Sequence, residues 1–290
     1  QLAERLTKLD IFAPADLILH LPLRYEDETR LTPLAHARPG VPVQCEVEVQ
    51  SCEITHGGRR QLVVRATDAS GEVMLRFVNF YPSQQKLMAA GARLRIFGEL
   101  REGFFGAEMI HPRVRPVAAG EPLPDSLTPI YPTTAGLAQS ALRKLIAGAL
   151  RHHPPADELP EALRRRLNLP ALPDALRLLH APPPEMAVAD IEDRAHPAWQ
   201  RIKLDELLAQ QISLRRAYAA RRAKNAPGLP PQDSLTRDLL EQLPFALTGA
   251  QVRAFAEIAA DLASAHPMQR LLQGDVGSGK TCVAALAMLR

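Results

Sequence analysis

The chain has 290 residues, 46% of them hydrophobic and 23% charged, with a formal net charge of +3 and a pI near 8.9. That length suffices for two or three domains, and so mild a charge excludes binding of a polyanion by bulk charge alone, leaving only local patches. Three cysteines without a C-x-x-C pair exclude a disulfide framework, and no apolar run of 18 residues is present to cross a membrane as a helix.

Residues 1–21 read as short helices: Leu2, Leu6 and Leu9 keep helical spacing, and Leu17, Ile18 and Leu21 form a second patch. From residue 41 the period changes to two. Val43, Cys45, Val47 and Val49 alternate with Gln44, Glu46, Glu48 and Gln50, which predicts a strand with one buried and one wet face. His56-Gly57-Gly58 predicts a turn, Leu62, Val64 and Ala66 a second strand, and Val73, Leu75 and Phe77 a third after the turn at 68–71. A short helix over 84–88 follows. The next strand carries Leu94 and Ile96 on one side and Arg93 and Arg95 on the other, and a last strand covers about 104–117. Three strands, a helix and two strands are the order of an OB-fold, a five-stranded antiparallel Greek-key barrel. By alternation Phe77 points inward, and Val78 and Phe80 point outward with Arg76.

Proline is abundant at 26 residues, about twice the usual 5%, and concentrates at 112–132, 154–184 and 227–231. Helices are expected at 140–151, 159–167 and 173–179, and a long one over 196–224. Leu204, Leu207, Leu208, Gln211, Leu214 and Tyr218 make one stripe of the long helix. Its end carries Arg215, Arg216, Arg221, Arg222 and Lys224 with no acid among them. Such cations either complement the helix dipole or contact phosphates, and the sequence leaves both readings open.

Gly274-Asp275-Val276-Gly277-Ser278-Gly279-Lys280-Thr281 fits G-x-x-x-x-G-K-[ST]. In such a loop small residues let backbone N–H groups close around phosphate oxygens at a helix N-terminus. Lys280 would reach the ATP phosphates and Thr281 would ligate Mg²⁺ through the nucleotide. Leu271-Leu272 reads as the end of a buried strand and 282–289 as the helix that must follow. Phe245 and Gln251 lie upstream of the loop. A glutamine amide can pair with an adenine edge, and an aromatic can cover the ring, so this pair is similar to the Q motif of superfamily 2 helicases. Phosphoryl transfer also needs an acid for Mg²⁺. Asp157-Glu158 and Asp205-Glu206 both precede the loop, so the 290 residues are expected to hold an incomplete, inactive site and only the start of a motor.

Three further segments sharpen the reading: His20-Leu21-Pro22-Leu23-Arg24-Tyr25-Glu26-Asp27, Gly106-Ala107-Glu108-Met109-Ile110-His111-Pro112 and Pro129-Ile130-Tyr131-Pro132-Thr133-Thr134. Together with Leu204–Gln210 and the phosphate loop they resemble, in order, the RecG family of branched-DNA helicases. The resemblance implies an ATP-dependent enzyme of the bacterial cytoplasm and nucleoid that remodels stalled replication forks and recombination junctions, including Holliday junctions. It further implies a monomer with branched DNA and single-strand-binding protein as partners and no membrane. The implied architecture is α+β and multidomain. It comprises an N-terminal helical segment (1–38), an OB-fold wedge (39–118), a proline-rich helical linker (119–232) and the first β-α unit of a P-loop RecA-like domain (233–290). In this family wedge aromatics stack on bases at the branch. The family's two aromatics before Asn are only partly kept, as Phe77-Val78-Asn79, which makes Phe80 and Tyr81 the replacement candidates. Arg59, Arg76, Arg93 and Arg95 are the candidates for tracking phosphates. The competing expectation is an OB-fold module that binds single strands or junctions without catalysis.

Overall fold

A computed structural model describes residues 2–55, 60–103, 106–229 and 233–290 and divides the chain into two units, 1–204 and 205–290. The first unit is mixed α+β. It opens with α1 (Leu2–Thr7), α2 (Pro14–Leu19) and the short strand β1 (Arg24–Glu26). A sheet follows, built from β2 (Pro42–Thr55), β3 (Gln61–Thr67), β4 (Glu72–Phe77), helix α3 (Pro82–Leu87), β5 (Arg93–Glu99), β6 (Arg101–Gly103), β7 (Gly106–Ile110) and β8 (Arg113–Pro116). Its order is β6-β7-β4-β3-β2-β5-β8.

β2 serves two neighbours. Pro42–Glu48 pairs antiparallel with β5, and Glu48–Thr55 pairs antiparallel with β3. The register shifts between Val49 and Ser51. An extra residue bends and twists a strand, which lets one strand turn from one partner to the next. The alternating residues fill the interior as expected: Cys45, Val47, Val49, Leu62, Val64, Leu75, Phe77, Leu94 and Ile96 are buried together, with Met88 and Met109 closing the cluster. At Gly98 an added Cβ would stand 3.2 Å from Pro112 Cβ and 3.4 Å from Met109 Sδ, so a side chain there would crowd the turn after β7. Among the described residues no ladder joins β5 to β7, so the hydrogen-bonded sheet is open and seven-stranded rather than five-stranded.

The single strand expected over 104–117 is two strands. β7 runs parallel to β4 while β8 runs antiparallel to β5, at the other side of the order. The break is at His111, which has φ +50, followed by Pro112, which has no N–H to donate. Residues 104–105 and the expected turn at 56–58 lie outside the described residues.

The chain leaves the sheet through β9 (Thr128–Ile130), which pairs back on β1. Helices α4 (Gln139–His152), α5 (Glu161–Arg166), α6 (Leu172–His180) and α7 (Val188–Glu192) follow. Tyr25, Leu127, Leu179, Ile191 and Trp199 share one core, and Tyr25 Oη donates to the Leu179 carbonyl at 2.7 Å. The segments before and after the sheet therefore build one body. α8 (Pro197–Arg222) begins there with Ala198, Trp199 and Arg201 buried, its proline at the first helical position. Residues 206–220 of this helix are exposed on every side.

The second unit contains the rest of α8 with α9 (Asp233–Gln242), α10 (Gly249–Leu262) and α11 (Lys280–Met288). Its buried apolar residues among those described are Ile258, Ala259, Val283 and Leu286. The strand expected at Leu271-Leu272 is absent: residues 267–275 are irregular and Leu271 is 89% exposed. A parallel strand needs neighbours on its edges and cover on its faces, and the second unit describes no other strand to pair with it.

Candidate nucleotide loop and nucleic-acid interface

The glycine-rich segment 274–281 occupies the turn that leads into the first residues of α11. Gly277 and Gly279 both have left-handed backbones, at φ +83 and +77, which side chains rarely tolerate. A Cβ at Gly279 would also collide with the Gln251 amide nitrogen. Lys280 Nζ donates to the carbonyls of Gly274 and Asp275, both at 2.7 Å, so its ammonium lies against the loop backbone. Thr281 is exposed in the first turn of α11, and Asp275, Val276 and Ser278 are exposed in the loop.

Gln251 is brought to the loop by α10. Thr248 caps that helix: its Oγ1 accepts from Gln251 N at 3.3 Å, and Gln251 Oε1 accepts from Thr248 N at 2.8 Å. This is the reciprocal capping box. Gln251 Nε2 donates to the Ser278 carbonyl at 3.1 Å. Both ends of the amide expected to read adenine are thus engaged within the protein. Phe245 is more than half exposed. Among the described residues no cluster of three His, Cys, Asp or Glu side chains could hold a metal by itself.

The nucleic-acid candidates divide sharply. Tyr81 is 74% exposed at the start of α3, its N–H held by Gln84 Oε1 at 2.9 Å. Phe80 is half-buried against the sheet core, and the Arg60 guanidinium lies over its ring at 5.0 Å. Phe77 points inward, as alternation predicts. His111, the residue of the kink, meets Phe77 edge-on at 5.9 Å and its Nε2 accepts from Val78 N at 3.2 Å. Sequence reasoning missed both Arg60 and His111. Arg60 could have been found as the second of two adjacent arginines, and His111 only through the proline that follows it.

The arginines are not one patch. Arg76 on β4 pairs with Glu108 at 2.6 Å, and β3 and β2 separate it from β5 in the sheet order. Arg93 pairs with Glu46 at 2.7 Å and stays half exposed. Arg95 corrects the expectation of an outward, phosphate-tracking side chain: it is only 3% exposed. Its guanidinium donates to Glu46 at 3.3 Å, to the Pro122 carbonyl at 2.9 Å and to the Glu121 carbonyl. The outer face of β5 is wet by alternation, but residues 121–122 fold over it. Gln44 is covered in the same way, 2% exposed, with its amide donating to the Glu28 carbonyl at 2.6 Å. Arg59 lies outside the described residues.

Two buried polar contacts hold the helical side of this unit. Tyr131 Oη lies 2.8 Å from His180 Nδ1, and His180 Nε2 lies 2.8 Å from the Ile18 carbonyl. A carbonyl only accepts, so Nε2 carries the proton and Nδ1 accepts from the tyrosine. Burial pushes the His180 pKa down to about 4. Arg201 pairs with Asp157 at 2.6 and 3.1 Å and also donates to the Pro170 carbonyl at 3.0 Å. The Arg201 hydrogen bonds hold the Asp157 pKa down at about 2, assisted by the Leu172 and Leu159 N–H groups.

The fold and loop together define a mixed α+β protein: a small sheet domain inserted into helices, followed by a helical unit carrying a phosphate-loop sequence. A family model described as the RecG wedge domain matches residues 2–152, and the chain belongs to this family. It is 45% identical over its full length to the ATP-dependent DNA helicase RecG of Escherichia coli K12, covering 42% of that protein. It is 41% identical over 99% of its length to the ATP-dependent DNA helicase RecG of Pasteurella multocida, again covering 42%. The chain thus spans about two-fifths of the length of these curated relatives. A solved structure of RecG bound to a three-way DNA junction is similar over 99% of this chain and 39% of that one, with a TM-score of 0.62 and 28% identity.

Proposed function

We propose that this chain is the wedge-bearing part of an ATP-dependent branched-DNA helicase that remodels stalled forks and recombination junctions. The observation that carries the reading is the structural likeness, over 99% of the chain, to a RecG bound to a three-way DNA junction. On this reading the open sheet works as an OB-type barrel, and Tyr81 offers a ring to an unpaired base at the branch. Phe80 supports it from the core side, with Arg60, Arg76 and Arg93 near the phosphates. Stacking on an exposed aromatic is worth about 1–3 kcal/mol per base.

The second unit is read as the start of the P-loop motor domain. Lys280 and the loop backbone would hold the ATP phosphates, Thr281 the Mg²⁺ ion, and Phe245 and Gln251 the adenine side. The nucleotide supplies the free energy of phosphoryl transfer when bound. Gln251 can read an adenine edge only by exchanging its bonds to Thr248 and Ser278, and Lys280 can reach a phosphate only by leaving the carbonyls of Gly274 and Asp275. A monomer in the bacterial cytoplasm, associated with the nucleoid and with single-strand-binding protein, completes the proposal. Among the described residues no helix is long and apolar enough to cross a membrane.

The test is a fluorescence-anisotropy titration of the chain against a three-way junction and a plain duplex of equal length. Tighter binding to the junction is expected, and equal affinity for the two would sink the branch-reading role.

A further inference from the structure

The cations at the end of α8 have no use in the wedge or the loop. Arg215, Arg216, Arg221, Arg222 and Lys224 fall within ten residues, and no acid occurs between Glu206 and Lys224. None of the five forms a salt bridge among the described residues. Arg222 Nη1 donates to Tyr218 Oη at 2.9 Å, and the Arg222 guanidinium lies 5.6 Å from that ring. Arg222 helps to lower the Asp261 pKa through its charge, but the side-chain bonds of Asp261 go to Arg270.

The helix dipole does not account for this set. Its favourable field falls off within the last turn of a helix. α8 ends at Arg222, so the dipole suits Arg221 and Arg222, but Arg215 and Arg216 sit two turns earlier. Arg215, Tyr218 and Arg222, at i, i+3 and i+7, share one face and span about 10 Å. Duplex DNA presents one charge per about 1.7 Å of axis, so about six phosphates lie along such a stretch. Exposed guanidiniums beside an exposed tyrosine, with no salt bridge of their own among the described residues, offer positive charge along a stretch that several phosphates span.

We infer that the Arg215–Arg222 face of α8 is a second nucleic-acid contact, one that grips the phosphate backbone without reading branch structure. An acidic protein would be an alternative occupant of a basic helix, and the test separates the two. Four substitutions are made together, Arg215→Gln, Arg216→Gln, Arg221→Gln and Arg222→Gln, with a matching set of four Arg→Lys changes. Glutamine and lysine both favour helix, and circular dichroism verifies that the fold is kept. Affinity for a three-way junction and for a plain duplex is measured from 50 to 200 mM salt. Each lost phosphate contact lowers the slope of log K against log salt by about 0.9. The glutamine set is expected to lower it by about 2, one contact for each of Arg215 and Arg222, and to weaken both DNAs alike, by about tenfold or more at 150 mM. The lysine set is expected to keep most of the slope. An unchanged slope in the glutamine set overturns the inference, as an acidic-protein surface would give. Equal wild-type binding to junction and duplex with loss in the glutamine set sinks only the branch-reading role, while wild type binding neither DNA sinks both.

Discussion

Gln251 joins the N-terminus of α10 to the phosphate loop by donating its amide to the Ser278 carbonyl, 27 residues away in sequence, at 3.1 Å. The same side chain closes the capping box with Thr248, so one residue couples helix and loop. Gln251→Glu keeps an acceptor for Thr248 N–H and loses only the donor. Gln251→Ala loses both, at about 1 kcal/mol of cap. By hydrogen exchange, Gln251→Glu is expected to speed exchange in the loop at 277–280 while Thr248 stays protected. Gln251→Ala is expected to expose both sites, and loop exchange as slow as wild type in both variants would remove the coupling.

His180 makes stability depend on pH in the mildly acidic range. Its pKa is about 4 in the folded chain, because burial disfavours the charged form, against an ordinary value of 6.5. The unfolded chain therefore takes up a proton first. The contribution is whole above pH 6.5 and is lost as pH falls toward 4, by up to about 3 kcal/mol. Urea midpoints measured at pH 7 and pH 5 should fall in wild type, and the fall should be smaller in His180→Phe. Tyr131→Phe removes the hydroxyl that donates to Nδ1 and is expected to cost about 1–3 kcal/mol at pH 7.

Asp157 acts in a lower window. Its pKa is held at about 2, chiefly by the Arg201 hydrogen bonds, so its contribution is present above the ordinary carboxylate value and disappears as pH falls from about 4 toward 2. Asp157→Asn removes the carboxylate that pairs with the 1%-exposed Arg201 cation. Loss of one partner of a buried pair typically costs about 3–5 kcal/mol. Thermal melting is expected to show that loss at pH 7, with the pH dependence below 4 reduced.

Phe77 and Tyr81 separate packing from recognition within five residues. Phe77→Ala empties a core position and should cost about 3–5 kcal/mol of stability. Tyr81→Ala touches an exposed ring, so stability should stay within about 0.5 kcal/mol of wild type. Junction affinity is expected to drop by about 1–3 kcal/mol for Tyr81→Ala. Loss of folding without loss of affinity in that variant would reverse the assignment.

The alternation from Val43 to Phe77 placed strands and inward residues correctly, because a half-buried strand imposes period two on its own sequence. Long helices were legible for the same local reason. What escaped was set by distant cover. Arg95 and Gln44 keep the polar side of that alternation, yet chain segments remote in sequence bury both. The two strands inside 104–117 differ only by where each finds a partner, and the His111-Pro112 kink was the local clue. β1 and β9, three residues each, are too short to show any period. In the candidate site the glycine spacing of the loop was legible, while the strand expected before it was not formed. The engagement of Gln251 with Ser278 was not, since the amide's partner is chosen by tertiary contact.

The pairing of β1 with β9 has a mechanical meaning. Arg24, Tyr25 and Glu26 face Ile130, Pro129 and Thr128, and both chain connections to the sheet leave from the Glu26–Thr128 end of this clasp. A load pulling the sheet away from the helices would unzip the clasp pair by pair rather than shear it. Tyr25 sits at the middle of that zipper, tied by its hydroxyl to Leu179 and by its N–H to Glu192. The resistance of the clasp to unzipping therefore draws on a tyrosine and two helices, outside the sheet itself.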